Sequence, residues 1–490
     1  MHYICVISKI DHTMITFAVC LAFLVAGYFF YGKYVQKIIG YDDNSLTPAK
    51  RLDDGVDYVP MQWYKAFLIQ FLNIAGTGPI FGAILGAMFG PVAFVWITLG
   101  CVFAGAVHDY LSGVISLRND GISVSEIVGK YLGKGMRNVM RAFSVVLLIL
   151  VGTVFVSSPA ALLSTMTGMS AVIWSVVIIV YYIVATVLPI DKVIGRIYPL
   201  FGAALLIMAV GITVAIVIGQ FNGSVHMMEL TFENLHPRGL SVFPFLFITI
   251  ACGAISGFHA TQSPMMARCV TKEGECKPVF FGAMIVEGVV ALIWCAATIA
   301  FFGDTPAISD AVAAGGPVTV INSISKGLLG TFGSILAVLG VVACPITSGD
   351  TAFRSARLTL ADATGLKQDK LLKRFLIAIP LFAVCILLTQ VNFDILWRYF
   401  AWSNQTLAAI FLWTAAVYMA VNRKNYWIVL VPATFMTVVV VSYIMQAPEG
   451  LRLGACLSNL TAGAVAAVLL LWFLLWQRKS RLAQSQSVKL

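Results

Sequence analysis

The chain has 490 residues, of which 60% are hydrophobic and only 11% charged, and its mean hydropathy is +0.91. Soluble domains carry about 25% charged residues, so this chain could not cover itself with polar surface in water. It reads as an integral membrane protein. The net charge of +10 would suggest a nucleic-acid partner in a soluble protein. Here the basic residues sit in short loops between apolar runs, so membrane topology explains them instead and no nucleic acid is expected.

A spanning helix needs about 20 mostly apolar residues. Thirteen segments meet that demand: 14–34, 65–89, 91–117, 138–166, 171–189, 198–219, 242–267, 278–303, 331–362, 371–391, 395–421, 425–446 and 455–477. The fold class is therefore all-α and polytopic. The first segment lacks a small-residue cleavage site after it and reads as a retained helix; Met14 is an alternative start that would remove residues 1–13. Ten cysteines, among them Cys101, Cys252, Cys295, Cys344 and Cys385, fall mostly inside apolar segments. With no CxxC pair they read as packing residues, not as a disulfide framework or metal ligands.

The loops vote on orientation. One alternate set holds 27 of the 32 Lys and Arg residues, including Lys50, Arg118, Lys134, Arg268, Lys370 and Arg423; the other holds Lys9, Arg238, Lys326 and Arg452. Basic loops stay in the cytoplasm. This places the N-terminus outside and the C-terminus inside, as an odd helix count requires.

Two segments look broken. The second reads Ile74-Ala-Gly76-Thr77-Gly78-Pro79, and the seventh Cys252-Gly253-Ala-Ile-Ser256-Gly257-Phe-His259 followed by Pro264. Each is apolar, then rich in small residues, then expected to restart as a helix at its proline, which suits a first turn. The breaks lie five segments apart in opposite orientation. They predict two inverted five-helix units, 65–219 and 242–421, after an N-terminal helix and loop (1–64) and before two further helices (425–477) and a tail (478–490). Inverted repeats with matched broken helices point to alternating access, with the site at the joints. Gly76, Thr77, Gly78, Ser256, Gly257 and His259 are the candidate substrate residues. Half-helix N-termini there suit a carboxylate, and the carbonyls ending the first halves suit a cation.

Charged groups inside apolar segments each need a reason. Glu287 lies deep in the eighth segment with no basic residue within a turn. It is the leading proton carrier, with Asp109, His108 and Asp350 behind it; for Asp109 pairing with an Arg or Lys is the structural alternative, and for Asp350 a pair with Arg354. Asn404 and Gln405 are further substrate candidates, or glue between helices. Thr347, Ser348 and Thr351 offer hard oxygen ligands for sodium, the rival coupling ion. Gly78, Gly82, Gly86 and Gly90 give one smooth helix face for close packing. No P-loop, zinc pattern or Ser/His/Asp triad is present, so neither enzyme nor cofactor is expected.

Several of these stretches together resemble the bacterial carbon starvation protein A family: Asp54-Gly-Val-Asp-Tyr58-Val-Pro60, Ile74–Pro79, Gly105-Ala-Val-His-Asp-Tyr110, Cys252–His259, Thr347-Ser-Gly-Asp-Thr-Ala-Phe-Arg354 and Trp397-Arg-Tyr-Phe-Ala-Trp-Ser-Asn-Gln405. The match runs from about residue 14 to about 405, and the chain looks like a short form. The resemblance implies a LeuT-type five-plus-five transporter of the bacterial cytoplasmic membrane, induced on nutrient limitation. It implies pyruvate, an amino acid or a small peptide as solute and the proton as coupling ion. A passive channel and a membrane sensor without turnover are the competing readings.

Overall fold

The computed structural model describes residues 14–55, 57–185, 190–366 and 371–487. Residues 1–13, the end of the expected fifth segment at 186–189 and the loop residues Lys367 and Lys370 lie outside the described residues. In chain order the helices are α1 (Ile15–Ile39), α2 (Trp63–Ile74), α3 (Thr77–Phe89), α4 (Val92–Leu117), α5 (Val124–Leu132), α6 (Lys134–Thr167), α7 (Ala171–Ala185) and α8 (Ile190–Asn222). There follow α9 (242–249), α10 (Gly257–Ala267), α11 (277–302), α12 (305–329), α13 (331–364), α14 (Leu371–Leu388), α15 (Phe393–Val421), α16 (Trp427–Gln446) and α17 (Ala455–Ser480). Among the described residues, strand-like pairing is confined to a single bridge, Met61 to Val270.

Among the described residues ten helices are long and apolar enough to cross a membrane, eleven with the bent pair α2–α3; one of the ten, Thr305–Ala361, holds both α12 and α13, and the apolar α7 is shorter. Two stretches taken as loops are helical. α5 is a short amphipathic helix on the basic-loop face. α12 precedes α13, and the two are separated at Gly330, whose φ of +62° few other residues adopt.

α2 and α3 meet at 50°. α3 begins at Thr77, so Pro79 sits in its first turn, where a missing N–H is harmless. The second break differs from expectation. α10 starts at Gly257 with Ser256 preceding it, and Pro264 lies inside the helix. The reason is a side-chain cap: the Phe258 N–H donates to Asn404 Oδ1 at 2.7 Å, so the helix starts seven residues before the proline.

The glycine face of α3 is a packing surface against the second broken segment. A Cβ on Gly78 would meet Cys252 Sγ at 2.5 Å, on Gly82 the Thr249 carbonyl at 3.2 Å, and on Gly86 the Ile250 side chain at 2.5 Å. α10 packs on α2, α4 and α15, and α3 on α11. The two joints therefore lie side by side in the middle of the bundle.

On the basic-loop face, the Asp54–Pro60 motif forms a strap. Asp54 Oδ1 accepts from the Asp57 and Tyr58 N–H groups, both at 2.9 Å, and Tyr58 Oη donates to the Asp120 carbonyl at 2.8 Å. The Arg268 guanidinium covers the Tyr58 ring, and the Met61 N–H donates to the Cys269 carbonyl. Arg118 joins Glu273, Tyr418 and the Gly40 carbonyl. The strap thus ties the end of α4 to the loop between α10 and α11.

Candidate functional site

Three helices bring four titratable side chains into one line. α4 supplies His108 and Asp109, α10 supplies His259 and α11 supplies Glu287, and none of the four is exposed. Asp109 Oδ1 lies 2.8 Å from His108 Nδ1 and Oδ2 lies 2.7 Å from His259 Nδ1. His259 Nε2 is 3.2 Å from Glu287 Oε2, close enough for an ion pair but not aligned as a hydrogen bond. Asp109 thus pairs with two histidines, not with an Arg or Lys.

Local backbone explains how the groups converge. A π-helical turn over Cys101–Gly105 precedes His108, and another over Lys277–Gly282 precedes Glu287. Such turns insert a residue and re-aim the helix face that follows, often at functional sites. Gly105 lets α4 touch the unwound stretch, since a Cβ there would lie 2.3 Å from the Ala254 carbonyl. Gly288 does the same for α11, beside Cys101.

The hydrogen-bond inventory limits the proton states. Asp109 accepts from both Nδ1–H groups only as a carboxylate. His259 then presents Nε2 to Glu287. Either Nε2 is bare and Glu287 carries the proton, or Nε2 is protonated and Glu287 is ionised. Losing the proton leaves two buried carboxylates on one neutral histidine, which a dry interior strongly disfavours.

The other expected site residues fall into three groups. Gly76, Thr77 and Gly78 are buried at the first joint. A Cβ on Gly76 would meet the Phe155 ring at 2.5 Å, and that ring packs edge-on against Phe258. Ser256 and Gly257 lie at the second joint, held by α15. Asn404 Nδ2 donates to the Ala251 carbonyl at 3.0 Å and Ser256 Oγ at 3.1 Å, while its Oδ1 caps Phe258. Gln405 Nε2 donates to the carbonyls of Phe247 and Ile250 at 3.2 and 3.3 Å. These two amides clamp the unwound backbone across its gap. Asp350 is buried in α13 and makes no ion pair with either histidine.

At the first joint, Ser348 Oγ donates to the Leu72 carbonyl at 2.9 Å and Cys344 Sγ to the Ala75 carbonyl at 3.3 Å. Thr347 and Thr351 donate to carbonyls of their own helix, Cys344 and Ser348. The role of Cys344 escapes a reading of the sequence as packing. Its four-residue spacing from Ser348, which puts both on one helix face, is the available signal. Among the described residues no group of three His, Cys, Asp or Glu side chains is arranged to hold a metal ion.

Asn404 gives a direct test. In Asn404→Ala the Phe258 N–H and Ala251 carbonyl lose buried partners, each worth about 1–3 kcal/mol. The expected result is a drop of several degrees in the detergent-phase unfolding midpoint together with loss of uptake. A variant of unchanged stability with altered solute preference would return Asn404 to substrate contact.

Two broken helices side by side, clamped by neighbours around a buried line of two histidines and two carboxyl groups, define a polytopic transporter of the LeuT type. Solved structures agree on the fold. The Eremococcus coleocola manganese transporter matches with a TM-score of 0.55 at 12% identity, covering 87% of this chain and 99% of that one. MhsT in complex with L-phenylalanine matches with a TM-score of 0.53 at 15% identity, covering 84% and 97%. The chain belongs to the carbon starvation protein CstA family, which it matches over residues 12–160, 157–311 and 303–443. An uncharacterized membrane protein of Haemophilus influenzae is 44% identical over 62% of this chain and 95% of its own length. The peptide transporter CstA of Escherichia coli is 26% identical over 86% of this chain and 79% of that protein. That of Bacillus subtilis is 30% identical, and the match spans only 57% of its length. The named relatives are transporters, not enzymes.

Proposed function

We propose that this protein is a proton-coupled symporter that brings a small carboxylate-bearing nutrient into a bacterial cell under carbon limitation. The solute is a peptide, an amino acid or pyruvate. In this reading the protein sits in the cytoplasmic membrane with its N-terminus outside and its C-terminus inside, an orientation that the distribution of basic loops supports. The observation that carries the reading is the buried line His108–Asp109–His259–Glu287 beside the second joint. Rearrangement of that joint moves His259 relative to Asp109 and Glu287, and so links proton exchange to the solute site between Gly76–Gly78 and Ser256–His259. The relatives named peptide transporters support the solute class.

Sodium is served less well. The carbonyls of Leu72 and Ala75, which a cation would need, already accept from Ser348 and Cys344. The test is uptake of labelled pyruvate, alanine and a dipeptide into proteoliposomes under an imposed proton or sodium gradient. Accumulation that follows the pH gradient is the expected result. Accumulation that follows sodium and ignores pH would overturn the coupling, and no accumulation of any solute would overturn symport.

A further inference from the structure

A cavity lies away from the buried line, on the face opposite the basic loops. It is open on one side, holds about 360 Å³ and is lined by Phe81, Ser157, Ser158, Arg238, Thr389 and Asp394, among others. Its position is informative. Phe81 is one turn into α3, and its ring meets those of Phe393 and Trp397 at 5.8 and 6.0 Å. Phe81 and Phe393 line the cavity, and Phe81 lies four residues after Thr77 at the first joint. From the opposite side, the break at Gly315–Gly316 turns α12 so that Pro317 also reaches the cavity.

The lining carries one cation and one anion. Arg238 belongs to the four basic residues of the otherwise basic-poor face. Among the described residues neither the Arg238 guanidinium nor the Asp394 carboxylate forms an ion pair, and the two do not pair with each other, so their charged atoms are more than 4.0 Å apart. Both charges sit on anchored turns. The Arg238 N–H donates to His236 Nδ1 at 3.2 Å, and the His236 ring lies 4.4 Å from that of Phe89. Burial and the Arg238 cation lower the His236 pKa to about 4, so Nδ1 stays free to accept that bond. Asp394 is fixed through its N–H, which donates to the Asn392 cap at 2.9 Å.

Opposite charges held apart at the mouth of a half-open cavity with mixed polar and apolar walls fit a ligand with opposite charges at its two ends. We propose that this cavity is an outer subsite for a zwitterionic solute, a free amino acid or short peptide, whose carboxylate meets Arg238 and whose ammonium meets Asp394. A simple monocarboxylate would meet Arg238 and leave Asp394 facing it as a like charge. The volume lies within the range of small-molecule sites, and charge-assisted hydrogen bonds supply the orientation. The inference rests on the transport reading for its purpose, because the subsite precedes the joints on the outer path.

The test is binding of dialanine, N-acetyl-dialanine and dialanine amide to the full chain purified in detergent, by calorimetry. Wild type is expected to bind dialanine at least about tenfold tighter than either blocked analogue, since each removes one charge-assisted contact. Arg238→Gln should lose the discrimination against the amide and keep that against the N-acetyl form. Asp394→Asn should do the reverse. Both side chains are exposed, and an unchanged unfolding midpoint controls for folding. Wild type binding no dialanine, or both variants discriminating as wild type does, would overturn the subsite. Failure of the transport reading looks different: the binding pattern holds while proteoliposomes accumulate no solute.

Discussion

Glu287→Gln is expected to abolish accumulation of solute on a pH gradient while leaving exchange intact. One pH unit corresponds to about 1.4 kcal/mol per proton, so a symporter moving one proton per solute can sustain about a tenfold concentration ratio with the membrane potential clamped at zero. An amide in place of the Glu287 carboxyl keeps the shape of the side chain and cannot release a proton. His259 still finds a neighbour at its Nε2, and its bond to Asp109 at 2.7 Å is untouched. The variant should therefore fold and bind solute, and its accumulation ratio should fall to about one. Counterflow of labelled against unlabelled solute should persist, because exchange needs rearrangement of the joints but no net proton movement. Asp109→Asn should differ by losing stability as well, since two buried histidine N–H groups share that carboxylate. Wild-type accumulation by Glu287→Gln would show that the proton travels elsewhere.

The parts of this site that follow from one-dimensional signals were legible. The Gly-Thr-Gly-Pro and Ser-Gly-Phe-His stretches marked both breaks, because small residues and a proline weaken a helix at a depth where no water can take over its backbone bonds. The glycine spacing of α3 announced a close contact, although not its partner. What stayed hidden depends on side chains far apart in sequence. The α10 start at Gly257 was masked by Pro264, because the capping group comes from Asn404, 146 residues from the Phe258 N–H that it satisfies. Asn404 and Gln405 attracted attention as buried amides, but their sequence cannot reveal that they clamp backbone. Glu287 has no basic neighbour along its own helix, and the histidine facing it belongs to α10. α5 was taken for a loop because hydropathy detects helices that face lipid, not short amphipathic ones, and α12 because Gly315, Gly316 and its polar residues interrupt the apolar run.

The second large effect is expected at Gly257, where close packing against α15 leaves no room for a side chain. A Cβ there would stand 2.5 Å from the Asn404 carbonyl oxygen and 2.6 Å from the Ala408 nitrogen. Both belong to the backbone of α15, a 29-residue helix that cannot yield locally. Gly257→Ala must therefore push α10 away from α15. Overpacking of this kind costs about 1–3 kcal/mol, occasionally more, and obstruction by backbone on two sides favours the upper end. The displacement also strains the Phe258–Asn404 cap and withdraws His259 from Asp109, two residues along the same turn. A lowered unfolding midpoint should accompany loss of pH-driven accumulation. Gly463 in α17 supplies the opposite sign. A Cβ there meets nothing within 4 Å, so Gly463→Ala should be neutral or stabilise by up to about 1 kcal/mol through helix propensity. If Gly257→Ala unfolds and transports as wild type does, α10 is free to move off α15 without cost. The clamp between Asn404 and the second joint would then not be what holds the buried line together.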